Sequence, residues 1–151
     1  MFNNSSAIRP LLLLFITLFL SGCLGITQPK DADITEAVSE HFNAQFSGLF
    51  NATSVEKING YKQNDTHYVA EMVITATAER SLEDYAKTIM QDSSLSSFEK
   101  IANSMNIGLL KMTLPEFSAD DQIEFERNYL FIKTDNGWML KKELQTEDLS
   151  N

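Results

Sequence analysis

The sequence predicts an α+β domain in which an N-terminal helix packs on a curved antiparallel sheet of about four strands. The strands form two hairpins, with one or two helices between them. Three observations carry this expectation. Apolar residues recur at helical spacing from Ile34 to Leu49. They then alternate strictly from Tyr68 to Ala76 and again from Ile123 to Phe131, and two serine-capped helical tracts, opening at Ser81 and Ser96, stand between the alternating stretches.

Each element has its own local reason. Asp33 with Glu36 three residues on reads as a helix start, and Ile34, Val38, His41, Phe42, Gln45, Phe46 and Leu49 follow one stripe, predicting a helix over 34–50. Ser54 to Tyr61 is a shorter, less regular strand, and Gln63-Asn64-Asp65 supplies turn chemistry before the next one. From His67 to Ala78 the period is two. Tyr68, Ala70, Met72, Ile74 and Ala76 share one face, and Val69, Glu71, Val73 and Thr75 the other. Ser81 with Asp84 opens a short amphipathic helix carrying Leu82, Tyr85, Ala86, Ile89 and Met90 on its inner side. Ser96 with Glu99 opens another, with Phe98, Ile101, Ala102, Met105 and Leu109 as its expected inner stripe, and Pro115 closes the region. Asn136-Gly137 marks a second hairpin between the strand at 123–131 and Trp138 to Leu144. A two-residue Asn-Gly loop would set Phe131 opposite Lys142, and a three-residue loop from Asp135 would set Ile132 opposite Leu140. Periodicity alone does not choose.

Composition narrows the function. The 151 residues are 43% hydrophobic, enough for one ordinary core, and 12 Lys and Arg stand against 21 Asp and Glu, a net charge of −9. A chain this acidic repels phosphate backbones and anionic lipid surfaces, which excludes nucleic-acid binding and docking through a basic patch. Cys23 is the only cysteine, so no intrachain disulfide forms and the thiol has another use.

The first residues supply that use. Met1 to Pro10 is polar with one cation, Arg9, and Leu11 to Leu20 is apolar except for Thr17. At about half the length needed to cross a bilayer, this run is a removable signal segment rather than a span. It ends in Leu20-Ser21-Gly22-Cys23, which resembles the lipobox of bacterial lipoproteins. The resemblance implies cleavage between Gly22 and Cys23, a thioether-linked diacylglyceryl group on Cys23, and acylation of the new amino terminus with a fatty acid such as palmitate. Several acyl chains hold a protein at a membrane stably where one holds it only marginally. Leu24 and Gly25 follow the cysteine, and no aspartate stands there to favour inner-membrane retention. The implied location is the periplasmic face of the outer membrane, or the inner membrane if sorting differs. The organisation is then a signal peptide at 1–22, lipidated cysteine and tether at 23–32, one α+β domain at 33–147 and a tail at 148–151.

The order helix, hairpin, helices, hairpin resembles the cystatin-like and NTF2-like rolls. The Asn59-Gly60-Tyr61 strand and the Asn136-Gly137-Trp138 hairpin are similar to those of small uncharacterised proteobacterial lipoproteins. Neither resemblance brings a catalytic motif, and fold alone does not give function.

No chemistry is spelled out elsewhere. His41 and His67 lack any ligand spacing, and they read as a helix-flank residue and a turn or strand-edge residue. No Gly-x-Ser-x-Gly elbow or phosphate loop occurs. Glu116, Asp120, Asp121, Glu124 and Glu126 lack the glycine turn and terminal glutamate of a calcium loop, so they read as a solvated turn and outer strand face, with no metal and no cofactor expected. The methionines at 72, 90, 105, 112 and 139 are expected to be chiefly core filling, with an adaptable binding surface as the alternative. Asn51-Ala52-Thr53 and Asn64-Asp65-Thr66 match a glycosylation sequon that a bacterial leader makes incidental. The expected function is therefore a noncatalytic envelope module that binds another envelope protein. The alternatives are a roll holding a small apolar ligand, or an enzyme of the NTF2-like type. A ligand site needs about 300 Å³ or more of concavity with converging polar groups, and a docking head needs an exposed apolar patch of a few hundred Å².

Overall fold

The computed structural model describes residues 28–145. The leader, the lipobox with Gly22 and Cys23, and the residues after Gln145 lie outside the described residues. Within them the fold is α+β: α1 (Asp31–Gln45), β1 (Phe50–Asn64), β2 (His67–Ala78), α2 (Leu82–Gln91), α3 (Ser97–Thr113), β3 (Gln122–Thr134) and β4 (Gly137–Leu144). The strands form one open antiparallel sheet in the order β1-β2-β3-β4, with α1 packed on it.

The core sits between α1 and the sheet. Ile34, Val38 and Phe42, spaced four apart along α1, are fully buried, and Phe46 and Leu49 continue the stripe past the helix end. They meet the alternating face of β2, where Tyr68, Ala70, Met72, Ile74 and Ala76 are all buried, and the facing row of β3, with Phe125, Tyr129 and Phe131. Phe42 packs against the rings of Phe46 and Phe125, at 4.7 and 5.1 Å between centroids, and those two rings also meet at 5.8 Å. The helix begins earlier than its sequence predicts. Lys30 takes the N-cap position with no side-chain bond, Asp31 and Ala32 are already helical, and Pro29 is buried, so the tether ends two residues short of the expected boundary. Asp31 pairs with Lys57 of β1 across the sheet edge. That hydrogen bond holds the Lys57 ammonium above its ordinary pKa.

β1 is twice the expected length, and its irregular sequence has a structural cause. Register shifts fall between Ala52 and Ser54, Lys57 and Asn59, and Lys62 and Asn64, so Thr53, Ile58 and Gln63 are each an extra residue. Every such bulge flips the alternation and bends the edge strand, which helps the sheet curl around α1. Gly60 is needed where it stands, because a Cβ there would overlap the Tyr68 hydroxyl and lie 2.7 Å from its Cζ, and Tyr68 is buried. The second hairpin takes neither anticipated register. Thr134 pairs with Gly137, whose φ is +113°, so Asp135-Asn136 form the loop and Phe131 faces Leu140. A shift between Leu130 and Phe131 then restores Leu130 opposite Lys142. Trp138 is half-buried against Tyr68, edge-on at 6.3 Å.

Candidate functional site

The connection from β2 to β3 is a helical arm. Ser81 caps α2, accepting from Asp84 N–H at 3.2 Å and donating to its carboxylate at 3.0 Å. Ser96 caps α3 in a complete capping box: Glu99 N–H donates to its hydroxyl, and the Glu99 carboxylate accepts from Ser96 N–H at 2.8 Å. Lys100 Nζ donates to the carbonyl of Met90 at 2.9 Å, placing a cation at the C-terminal end of α2 and tying the two helices together. The arm touches the roll through Leu82, Tyr85, Leu110, Leu114 and Phe117, all half-buried.

This packing reverses the expected orientation of α3. The inner side carries Ile107, Leu110 and the following Leu114, while the stripe expected inside faces solvent. Phe98 is 80% exposed, Ile101 61%, Met105 68%, Leu109 60% and Met112 83%. The physical reason is that α1 already covers the buried face of the sheet, so α3 meets the core only along the side that carries Leu110. Two stripes were written into α3, and the larger one has no partner among the described residues. Met90, also expected inside, is 55% exposed, and Met139 52%, so of the five methionines only Met72 fills the core. The row is contiguous along one helix face, unlike apolar residues scattered singly over a surface.

A second feature lies on the opposite side of α3. A cleft of about 610 Å³ opens between the arm and the loop leading to β3. Its apolar wall is Leu82, Ala86, Ile107, Leu114 and Phe117, and Lys111 and Glu116 stand at its rim. It is not the concavity of the roll, which α1 occupies. No sequence pattern announces this cleft, since its walls come together from three separate stretches.

The residues singled out from sequence are dispersed. His41 is half-buried, edge-on to Tyr129 at 5.8 Å, and His67 sits at the hairpin turn with Nδ1 2.9 Å from Thr66 Oγ1 and 3.0 Å from Asn64 Oδ1. Asp120 takes a positive φ of 69° in the turn before β3, Asp121 accepts from Ser118 N–H at 2.7 Å, and Glu124 and Glu126 are exposed on the strand. Among the described residues no group of three or more His, Cys, Asp or Glu stands close enough to hold a metal ion, and no helix is long and apolar enough to cross a membrane. The Tyr129 hydroxyl is buried with no hydrogen-bond partner, and burial raises its pKa. An unsatisfied buried hydroxyl costs about 1–3 kcal/mol. Tyr129→Phe is therefore expected to leave the midpoint of thermal unfolding unchanged or a few degrees higher. A fall of several degrees would mean that the hydroxyl is bonded.

Three hydroxyl-bonded carboxylates stabilise the arm. Ser81 holds Asp84 below its ordinary pKa of 3.8 with help from Lys87, Ser94 does the same for Asp92, and Ser96 holds Glu99 below 4.5. A lowered carboxylate stabilises the fold fully above its ordinary pKa, and that contribution is lost as pH falls through the lower folded value. Amide protection relative to the intrinsic exchange rate at each pH is expected to fall in α2 and α3 as pH drops below these values, before β2 is affected. Equal loss in both would contradict this.

The chain matches no known protein-family model, no curated protein and no solved structure.

Proposed function

We propose that this chain is a lipid-anchored envelope protein whose head is a noncatalytic docking module, and that the outer stripe of α3 is its docking face. The anchoring half of the reading rests on Leu20-Ser21-Gly22-Cys23 at the end of an apolar leader. The docking half rests on one observation, the row from Phe98 to Met112 left outside on a helix whose other side serves the core. Membrane tethering concentrates the head near other envelope proteins, which makes a modest apolar interface effective. Two variants of the full chain separate the halves. Cys23→Ser loses incorporation of a fatty-acid analogue and membrane attachment. Leu109→Asp keeps both, unfolds at the unchanged temperature, and loses the protein neighbours captured by crosslinking intact envelopes. Full acyl labelling of the first variant, or unchanged neighbours with the second, would refute the corresponding half.

The cleft supports a second reading, a small apolar ligand held against Phe117 and Ile107 with an anionic group at Lys111. An apolar fluorescent probe that brightens on binding, and is lost from Ile107→Asp but not from Leu109→Asp, would favour it.

A further inference from the structure

We propose that the occupant of the α3 stripe is a second copy of this chain, its α3 lying antiparallel across a two-fold axis at Met105. The proposal rests on the docking reading of that face and goes on to name the partner.

A two-fold interface demands self-complementarity: whatever residue i meets, that residue's counterpart must meet i. The stripe meets this condition in both spacing and size. Counting outward from Met105, Ile101 and Leu109 lie four residues away on either side, Ala102 and Gly108 three away, and Phe98 and Met112 seven away. In an antiparallel pair centred on Met105, a branched aliphatic therefore meets a branched aliphatic, a small residue meets a small one, and a large flexible or aromatic side chain meets another. The repeat of seven from Phe98 to Met105 to Met112 is the spacing that keeps a seam facing its partner along paired helices.

Gly108 gives an independent reason. It lies within α3, where glycine is among the poorest helix formers. A Cβ added there would meet nothing within 4 Å among the described residues, and its φ is not in the left-handed region, so no described residue requires a glycine there. Opposite a partner's Ala102 it lets the two backbones approach closely. Charge agrees. Two copies of a chain carrying −9 repel over most of their surface. The seam is instead flanked by Ser97, Ser104, Asn106 and Thr113, and α3 as a whole carries Glu99 against Lys100 and Lys111. At their exposures the five large side chains offer on the order of 600 Å² of apolar surface per copy, close to the ~800 Å² per partner of a stable interface. A lipid surface is the weaker occupant, because interfacial helices are rich in Lys and Arg on their polar face, whereas α3 has Lys100, engaged with the Met90 carbonyl, and Lys111.

The test uses the full chain in its membrane, with a short bismaleimide and the unsubstituted chain as control for Cys23. Met105→Cys is expected to yield a covalent dimer. Phe98→Cys should not, since 14 residues along an antiparallel pair set the two thiols roughly 20 Å apart at 1.5 Å per residue. Phe98→Cys combined with Met112→Cys should crosslink again. Adding Leu109→Asp to Met105→Cys should cut the dimer at least tenfold with the circular dichroism unchanged. Self-crosslinking of Phe98→Cys as efficient as that of Met105→Cys would overturn the antiparallel arrangement. A Met105→Cys adduct to a protein of different mass would overturn the second copy while leaving the docking reading intact. Insertion of a lipid-phase photoprobe at the stripe, with no protein adduct, would overturn both.

Discussion

Replacing Ile74 by aspartate is expected to unfold the domain. Ile74 is fully buried in the middle of β2, in register with Val55 on one side and Phe125 on the other, beneath α1. A carboxylate there has no cation within the core to pair with, and burying it or protonating it costs several kcal/mol. Domains of this size are stable by only about 5–15 kcal/mol in all. Glu71→Lys, on the opposite face between Asn59 and Asn128, should be tolerated, because that side chain reaches water. Far-UV circular dichroism with urea titration reads both. A folded Ile74→Asp protein beside an unfolded Glu71→Lys protein would invert the sheet.

Phe42→Ala should be the most damaging truncation on α1, at about 3–5 kcal/mol for a buried aromatic lost from a packed core. Its ring touches Phe46 of the helix stripe and Phe125 of the sheet, so its removal opens a cavity in the core between α1 and the sheet. The same change at Phe98, which is mostly exposed, should alter stability within about 0.5 kcal/mol. The pair of variants compares one substitution on two helix faces. Comparable losses at the two sites would place Phe98 inside.

How much of this was legible depended on how far a single residue pattern determined each element. β2 could be read to its ends, because it is flanked on both sides and its burial alternates without a break from Ala70 to Ala78. β1 could not, because the bulges at Thr53, Ile58 and Gln63 reverse the alternation three times. Asp33 looked the better cap, yet the chain enters α1 from a buried Pro29 and begins the helix at Asp31. In α3 the periodicity correctly gave a helix with a capping box, and it failed on orientation. A period states which residues share a face and not which face finds a core, and here α1 covers the sheet while α3 meets the core through Leu110. The signal for the outward stripe was present in the match of Phe98, Met105 and Met112 at intervals of seven, which describes a helix-to-helix seam better than a helix lying on a sheet. Tertiary placement was required to see that no described residue covers this stripe.

Methionine oxidation tests the central claim, that α3 presents a face which another surface covers at the membrane, most directly. Mild peroxide followed by mass spectrometry would compare intact envelopes with the head released and diluted. Met72, fully buried, should resist in both states, and Met139, exposed on β4, should react in both. Met105 and Met112 should be protected in envelopes and oxidise at the rate of Met139 after release. Protection of Met105 and Met112 in the released, diluted head, or their full reactivity in intact envelopes, would contradict the claim.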